Sequence, residues 1–156
     1  MRIHLIAVGT RMPAWVVDAY REYAKRLPRE CALHLVEIPL GKRRKSHGSA
    51  QAAEEEGRHL LASLPKDCTV IALDVLGNSW STEALAVRLQ DWLGSGRDVA
   101  LLVGGPDGLS AACLARADLK WSLSALTYPH SLVRVVLAEQ LYRAWTITAG
   151  HPYHRS

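Results

Sequence analysis

Cysteine is scarce in this chain and poorly spaced for chemistry. Cys31, Cys68 and Cys113 are odd in number, widely separated and form no CxxC pair. That pattern excludes a disulfide framework and a zinc ribbon, and it fits a reducing cytoplasm. Long hydrophobic runs are missing too, since no stretch approaches the roughly 18–20 apolar residues that cross a bilayer. The amino end, Met1 to Val8, lacks the length and the small-residue cleavage site of a secretion signal and reads as a first strand. No internal repeat or biased segment interrupts the chain. A dinucleotide fingerprint is absent after that first strand, where Gly9 is followed by Thr10, Arg11 and Met12, and there is no P-loop spacing. A phosphate-using hydrolase or kinase would need such a loop, or basic or metal-holding loops in its place.

The 156 residues suit one domain, 1–156, with a substantial core and no room for a separate recognition domain. A net charge of +4 and a pI near 9.1 favour a polyanionic partner only mildly. Strand-like and helix-like stretches alternate throughout. Arg2–Val8, Cys31–Ile38, Thr69–Leu73, Val99–Val103 and Leu119–Ser124 read as strands, Thr69–Leu73 as a continuous apolar run typical of a central parallel sheet and Val99–Val103 as a second buried one. Between them, Val16, Tyr20, Tyr23 and Leu27 recur on one helical face after Pro13. A helix over 49–64 carries Glu54, Glu55 and Glu56 on its surface and turns Leu60, Leu61 and Leu64 inward. Ser81, Thr82 and Glu83 start another, which Gly94 and Gly96 break, and Leu109–Ala117 is a short one. The expected architecture is therefore α/β, a mostly parallel sheet covered by helices on both sides. The last helix, Ser131 to about Thr148, is apolar on nearly every side. It is buried either by a second copy of the chain, the homodimer expected here, or wholly within one subunit.

Ligands in open α/β sheets sit where strands release their carboxyl ends into loops. Three loops qualify: Leu73–Gly77, Gly104–Gly108 and Leu123–Pro129. Glycines 77, 104, 105 and 108 let a ligand approach bare backbone, or simply make tight turns. None of the three loops holds Lys or Arg, whereas Asp74 and Asp107 are present. Such a cleft suits an apolar heterocycle with a positive or neutral centre, as in S-adenosylmethionine. The run Lys42, Arg43, Arg44, Lys45 is either a phosphate contact without sequence readout or a solvated loop. His130, His151 and His154 lack a carboxylate or cysteine to complete a metal site, so no metal is expected. The tail Tyr153, His154, Arg155 offers an aromatic ring, an imidazole and a fixed cation, although a frayed end is the ordinary state of such tails.

The motifs Leu101-Leu-Val-Gly-Gly-Pro-Asp-Gly-Leu-Ser110, Leu123-Ser-Ala-Leu-Thr127 with Pro129-His130, Glu139-Gln-Leu-Tyr-Arg-Ala144, the ending His151-Pro-Tyr-His-Arg155 and the opening Val8-Gly-Thr-Arg-Met-Pro-Ala-Trp15 go further. Together they resemble the bacterial 23S rRNA pseudouridine-N3 methyltransferases, minimal members of the SPOUT class, over essentially the whole chain. Tyr128 departs from that pattern, standing where an aliphatic residue is expected. The resemblance implies a single SPOUT (α/β-knot) domain whose C-terminal segment forms a trefoil knot, an exception to the rule against knots. It implies a cytoplasmic homodimer acting on 23S rRNA in the ribosome, with no membrane or DNA partner. S-adenosylmethionine would be held by Leu73, Gly104, Leu123, Ser124, Ala125, Leu126, Thr127 and Tyr128, largely through backbone groups. Methyl transfer from a sulfonium is a direct displacement that needs alignment and help with the acceptor's proton. The residues expected to give that help are His154 as proton acceptor, Arg155 or Arg143 as anion stabiliser and Tyr153 as stacking wall. The rival readings are another SPOUT RNA methylation, on tRNA or a ribose hydroxyl, and a non-catalytic dimeric RNA-binding module.

Overall fold

A computed structural model of the chain describes residues 1–43 and 48–155. Its order is β1 (Ile3–Val8), α1 (Ala14–Ala24), β2 (Leu33–Ile38), α2 (Ser49–Ala62), β3 (Thr69–Ser79), α3 (Thr82–Ser95), β4 (Val99–Val103), α4 (Ala111–Arg116), β5 (Leu119–Ser122) and α5 (His130–Thr148). The five strands form one sheet in the order β2-β1-β4-β3-β5, every pair parallel. The α/β sandwich read from the alternation of periods is thus the observed one.

Parallel central strands are apolar on both faces, and β4 shows why. All five of its residues are buried. Val99, Leu101 and Val103 join a core with Tyr20 of α1, Leu85 and Leu89 of α3, and Leu137 and Leu141 of α5. Ala100 and Leu102 turn the other way, to Leu60 of α2 and Cys113 of α4. Each fully buried Leu or Val contributes about 1.5–3 kcal/mol relative to exposure, so this short strand anchors both layers. Helix α3 starts at Ser81, whose hydroxyl accepts the Ala84 N–H at 3.0 Å, and it runs through Gly94 before stopping at Gly96.

Two expectations need correction. The segment after Leu73 is not a free loop, because β3 continues to Ser79. Leu73 and Asn78 both lie opposite Trp121 of β5, so 74–77 form an excursion from a strand that then resumes pairing. The strand resumes because Asn78 and Ser79 still find the β5 edge there, while Val75 (66% exposed) and Leu76 (89%) are pushed outward. Glu56 is also not a surface residue. It is 1% exposed and accepts the Gly41 N–H at 2.9 Å and the Arg43 Nη1–H at 3.0 Å. A charged partner brought in by the chain after β2 offsets its desolvation. Of the basic run, Arg44 and Lys45 lie outside the described residues.

Candidate active site

The carboxyl ends of β4, β3 and β5 open together into a cavity of about 480 Å³, the size range of small-ligand sites. Its wall runs from Leu73–Val75 through Val103–Pro106, Gly108 and Leu109 to Trp121–Ser124 and Leu126–His130, closing on Val133 of α5. Seven of the eight residues expected to hold a cofactor line it: Leu73, Gly104, Leu123, Ser124, Leu126, Thr127 and Tyr128. Ala125 does not line it, because the loop turns that residue outward between Ser124 and Leu126. Asp74 and His130 are the titratable groups on this wall besides Tyr128.

The Gly104 loop folds tightly on itself. Gly105 and Gly108 form a bridge, and the Gly108 N–H donates to the Gly105 carbonyl at 3.0 Å. A Cβ on Gly104 would stand 2.5 Å from the Gly108 carbonyl carbon, so no larger residue fits without opening the loop. Across the cavity the Ser124 hydroxyl accepts the Leu126 N–H at 2.9 Å and the Ser122 hydroxyl donates to the Ser124 carbonyl at 3.1 Å. These bonds hold the 122–126 turn in place and leave Leu126 69% exposed at the cleft mouth.

Behind this wall lie charged residues that periodicity did not single out. Arg134 of α5, 2% exposed, reaches the Gly9 carbonyl at 2.7 Å, the Val8 carbonyl at 3.4 Å and Glu37 at 2.6 Å. It ties the first turns of α5 to the end of β1. Arg43 spans Glu56 and Asp107, the latter at 2.9 Å, and so pins the chain after β2 to the glycine loop. Burial, and then the charge of Arg134, holds the His130 imidazole below its ordinary pKa. Arg134 and Glu56 are buried against the grain of their helices, and such burial gives no periodic signal.

The four expected catalytic residues form a second cluster. The Tyr153 hydroxyl donates to Glu139 at 3.1 Å, and its ring lies 4.8 Å from Tyr142 and under the Arg143 guanidinium. Arg143 is held by Glu139 at 2.6 Å. His154 lies 3.3 Å from Arg143 and 3.2 Å from Glu83 of α3, and Arg155 is exposed beside it. The tail is therefore folded onto α5 and α3. It folds back along α5 to the middle of that helix, at Glu139 and Arg143, and to the start of α3 at Glu83. None of Arg143, Tyr153, His154 and Arg155 lines the cavity.

This combination of an all-parallel sheet and a glycine-walled cleft at its carboxyl edge has a family. A family model described as a predicted SPOUT methyltransferase matches residues 1–154, and the chain belongs to that family. Along its length it is 66% identical to ribosomal RNA large subunit methyltransferase H of Thioalkalivibrio sulfidiphilus, over 99% of each chain. It is 61% identical to the protein of the same name from Alkalilimnicola ehrlichii, over the whole of both. A solved structure of a probable methylase family protein from Haemophilus influenzae shares the fold, with a TM-score of 0.58 at 12% identity. That match covers 99% of this chain and 70% of that one.

Proposed function

We propose that this chain is an S-adenosylmethionine-dependent methyltransferase that methylates N3 of a pseudouridine in 23S rRNA of the assembled ribosome. It works in the cytoplasm as a homodimer. The observation that carries the reading is the cavity at the ends of β4, β3 and β5, walled by glycine backbone and apolar side chains and free of Lys and Arg. A cationic sulfonium is tolerated there and a polyphosphate is not. The ribosomal target is supported by the names of the whole-length relatives, and the pseudouridine N3 by the motif resemblance. Residues 1–156 act as one domain, and the segment after β5 is read as threaded through a trefoil knot.

When bound, the cofactor supplies an electrophilic methyl on sulfur. Leu73, Gly104 and the run Leu123–Tyr128 would hold it, Ala125 shaping the turn without lining the wall. Because the displacement is direct, the chain's task is alignment and management of one imide proton. The tail of a second copy brings Tyr153 as a stacking wall, His154 as proton acceptor and Arg155 or Arg143 as stabiliser of the imide anion. The cavity lining supports this division, since no tail residue of the same copy is part of it.

The test is mass mapping of nucleosides from ribosomes incubated with the protein and S-adenosylmethionine. The expected product is one methylated pseudouridine in 23S rRNA. A methylated tRNA or ribose, or no heat on calorimetry with S-adenosylmethionine, refutes the assignment. Truncation after Gly150 is expected to abolish methylation and spare cofactor binding; an active truncated protein refutes the role of the tail.

A further inference from the structure

The wall of the cleft is nearly uncharged, but the loops beside it are not. The chain leaving β1 passes through Gly9, where a Cβ would lie 3.6 Å from Nε2 of His130 on the cleft wall. It then exposes Thr10 and Arg11 and enters α1 with Trp15 on its first turn. Trp15 is 58% exposed, among the most exposed large apolar side chains described. The chain leaving the neighbouring strand β2 reaches the same edge, since Gly9 N–H donates to the Ile38 carbonyl at 2.7 Å. There Lys42 gives its backbone N–H to Glu55, while Arg43 is clamped between buried Glu56 and Asp107 of the glycine loop.

These neighbours play different parts. Arg43 spends its guanidinium on two carboxylates and serves as a strut. Arg11 and Lys42 are exposed and make no ion pair among the described residues. Asp18, three residues beyond Trp15 on the same face of α1, is exposed and makes no ion pair among the described residues. The Arg43 strut ties the loop after β2 to the glycine loop, and Gly9 brings the loop after β1 beside His130, so the loops that carry Arg11, Trp15 and Lys42 both border the cleft wall.

We propose that the loops after β1 and β2 form an RNA shelf, on which Trp15 stacks against an unpaired base while Arg11 and Lys42 take phosphates flanking the nucleotide delivered to the cleft. This rests on the reading that the substrate is rRNA. Single-stranded RNA is bound by this pairing of an aromatic platform with backbone cations, because every base has a stackable face. The core of a contact between two protein copies is instead depleted in lysine, whereas Lys42 is exposed on this shelf.

The experiment compares the full-length protein with Trp15→Ala, Trp15→Phe and the double variant R11Q/K42Q, all changes at exposed positions. Affinity for ribosomes, ribosomal KM at several salt concentrations, S-adenosylmethionine affinity and sedimentation are measured for each. W15A is expected to raise ribosomal Kd and KM by about 5- to 150-fold, and W15F to recover most of the loss. R11Q/K42Q is expected to lower the slope of log affinity against log salt by about 1.5, at roughly 0.7–0.9 per lost phosphate contact. S-adenosylmethionine affinity stays within twofold throughout. Variants that bind and turn over ribosomes like the parent, with the parent's salt slope, overturn the shelf. So does a W15A variant that loses a dimer the parent forms, which would assign the indole to a second copy. If the parent binds ribosomes without methylating them, the functional reading fails and the binding arm still decides the shelf. If it does neither, both fall.

Discussion

Gly104 and Gly108 lie in one loop and should fail in different ways. A Cβ at Gly104 would stand 2.5 Å from the carbonyl carbon of Gly108, 2.7 Å from its oxygen and 2.8 Å from the Leu109 nitrogen. All three are backbone atoms, so no side chain can rotate away. The two arms of the loop must part by about 1 Å to restore ordinary contact at 3.4 Å. Overpacking of this kind costs ~1–3 kcal/mol, and at about 2–4 °C per kcal/mol for a chain of this size Gly104→Ala should melt roughly 2–12 °C lower. Because the displaced loop is cleft wall, cofactor affinity should fall at least about tenfold and turnover by up to ~10²-fold, the usual cost of a 1 Å misplacement. Gly108 has φ +78° but open space around the Cβ position. Ala there strains the backbone by about 1–2 kcal/mol and pushes nothing. Gly108→Ala should therefore lose comparable stability while keeping cofactor affinity within about threefold. Calorimetry with S-adenosylmethionine and thermal melts on both variants check this. Equal cofactor affinity in Gly104→Ala and the parent, or equal losses of cofactor affinity in the two variants, would refute the steric argument.

Arg43→Ala leaves the Glu56 carboxylate, 1% exposed, without its counter-charge. The Arg43 side chain is 30% exposed, so urea denaturation should show a loss of about 2–3 kcal/mol, below that of a fully buried pair. R43A/E56Q should regain at least half, and a single variant as stable as the parent would contradict the strut. Burial pushes the Cys31 thiol up to about 11 and raises those of Cys68 and Cys113 as well. Ellman's reagent should thus find no fast thiol in the native protein and all three in guanidinium; a rapid native reaction would count against this packing. His130 is held below its ordinary pKa by burial and then by Arg134. The unfolded chain therefore binds that proton at higher pH than the folded one, and the contribution of His130 to stability is lost as pH falls below about 6.5. An NMR titration should place its midpoint below that of the same imidazole in the urea-unfolded chain, and a midpoint at or above it would reverse the sign.

Where local pattern and tertiary role coincide, the elements were legible. An uninterrupted Val99–Val103 can only be a strand covered on both sides, and it lies at the centre of the sheet. Ser81 before an apolar helical face gives a helix start, and its hydroxyl caps α3. Seven of the eight residues expected to hold a cofactor line one cavity because strand ends in a parallel sheet share an edge.

What sequence alone determined is the set of elements, their parallel pairing and the glycine-rich loops, since these follow from periodicity and backbone permissiveness within short windows. Tertiary structure alone decided that β3 resumes after Gly77, that Glu56 and Arg134 are buried, and that the tail folds back onto α5 and α3 without lining the cleft. Those features depend on partners far away in the chain: β5 for the resumed strand, Arg43 and Glu37 for the charges, and Glu83 and Glu139 for the tail. A buried charge is tolerable only once its counter-charge has been brought to it, and that is a property of the fold rather than of any stretch of residues.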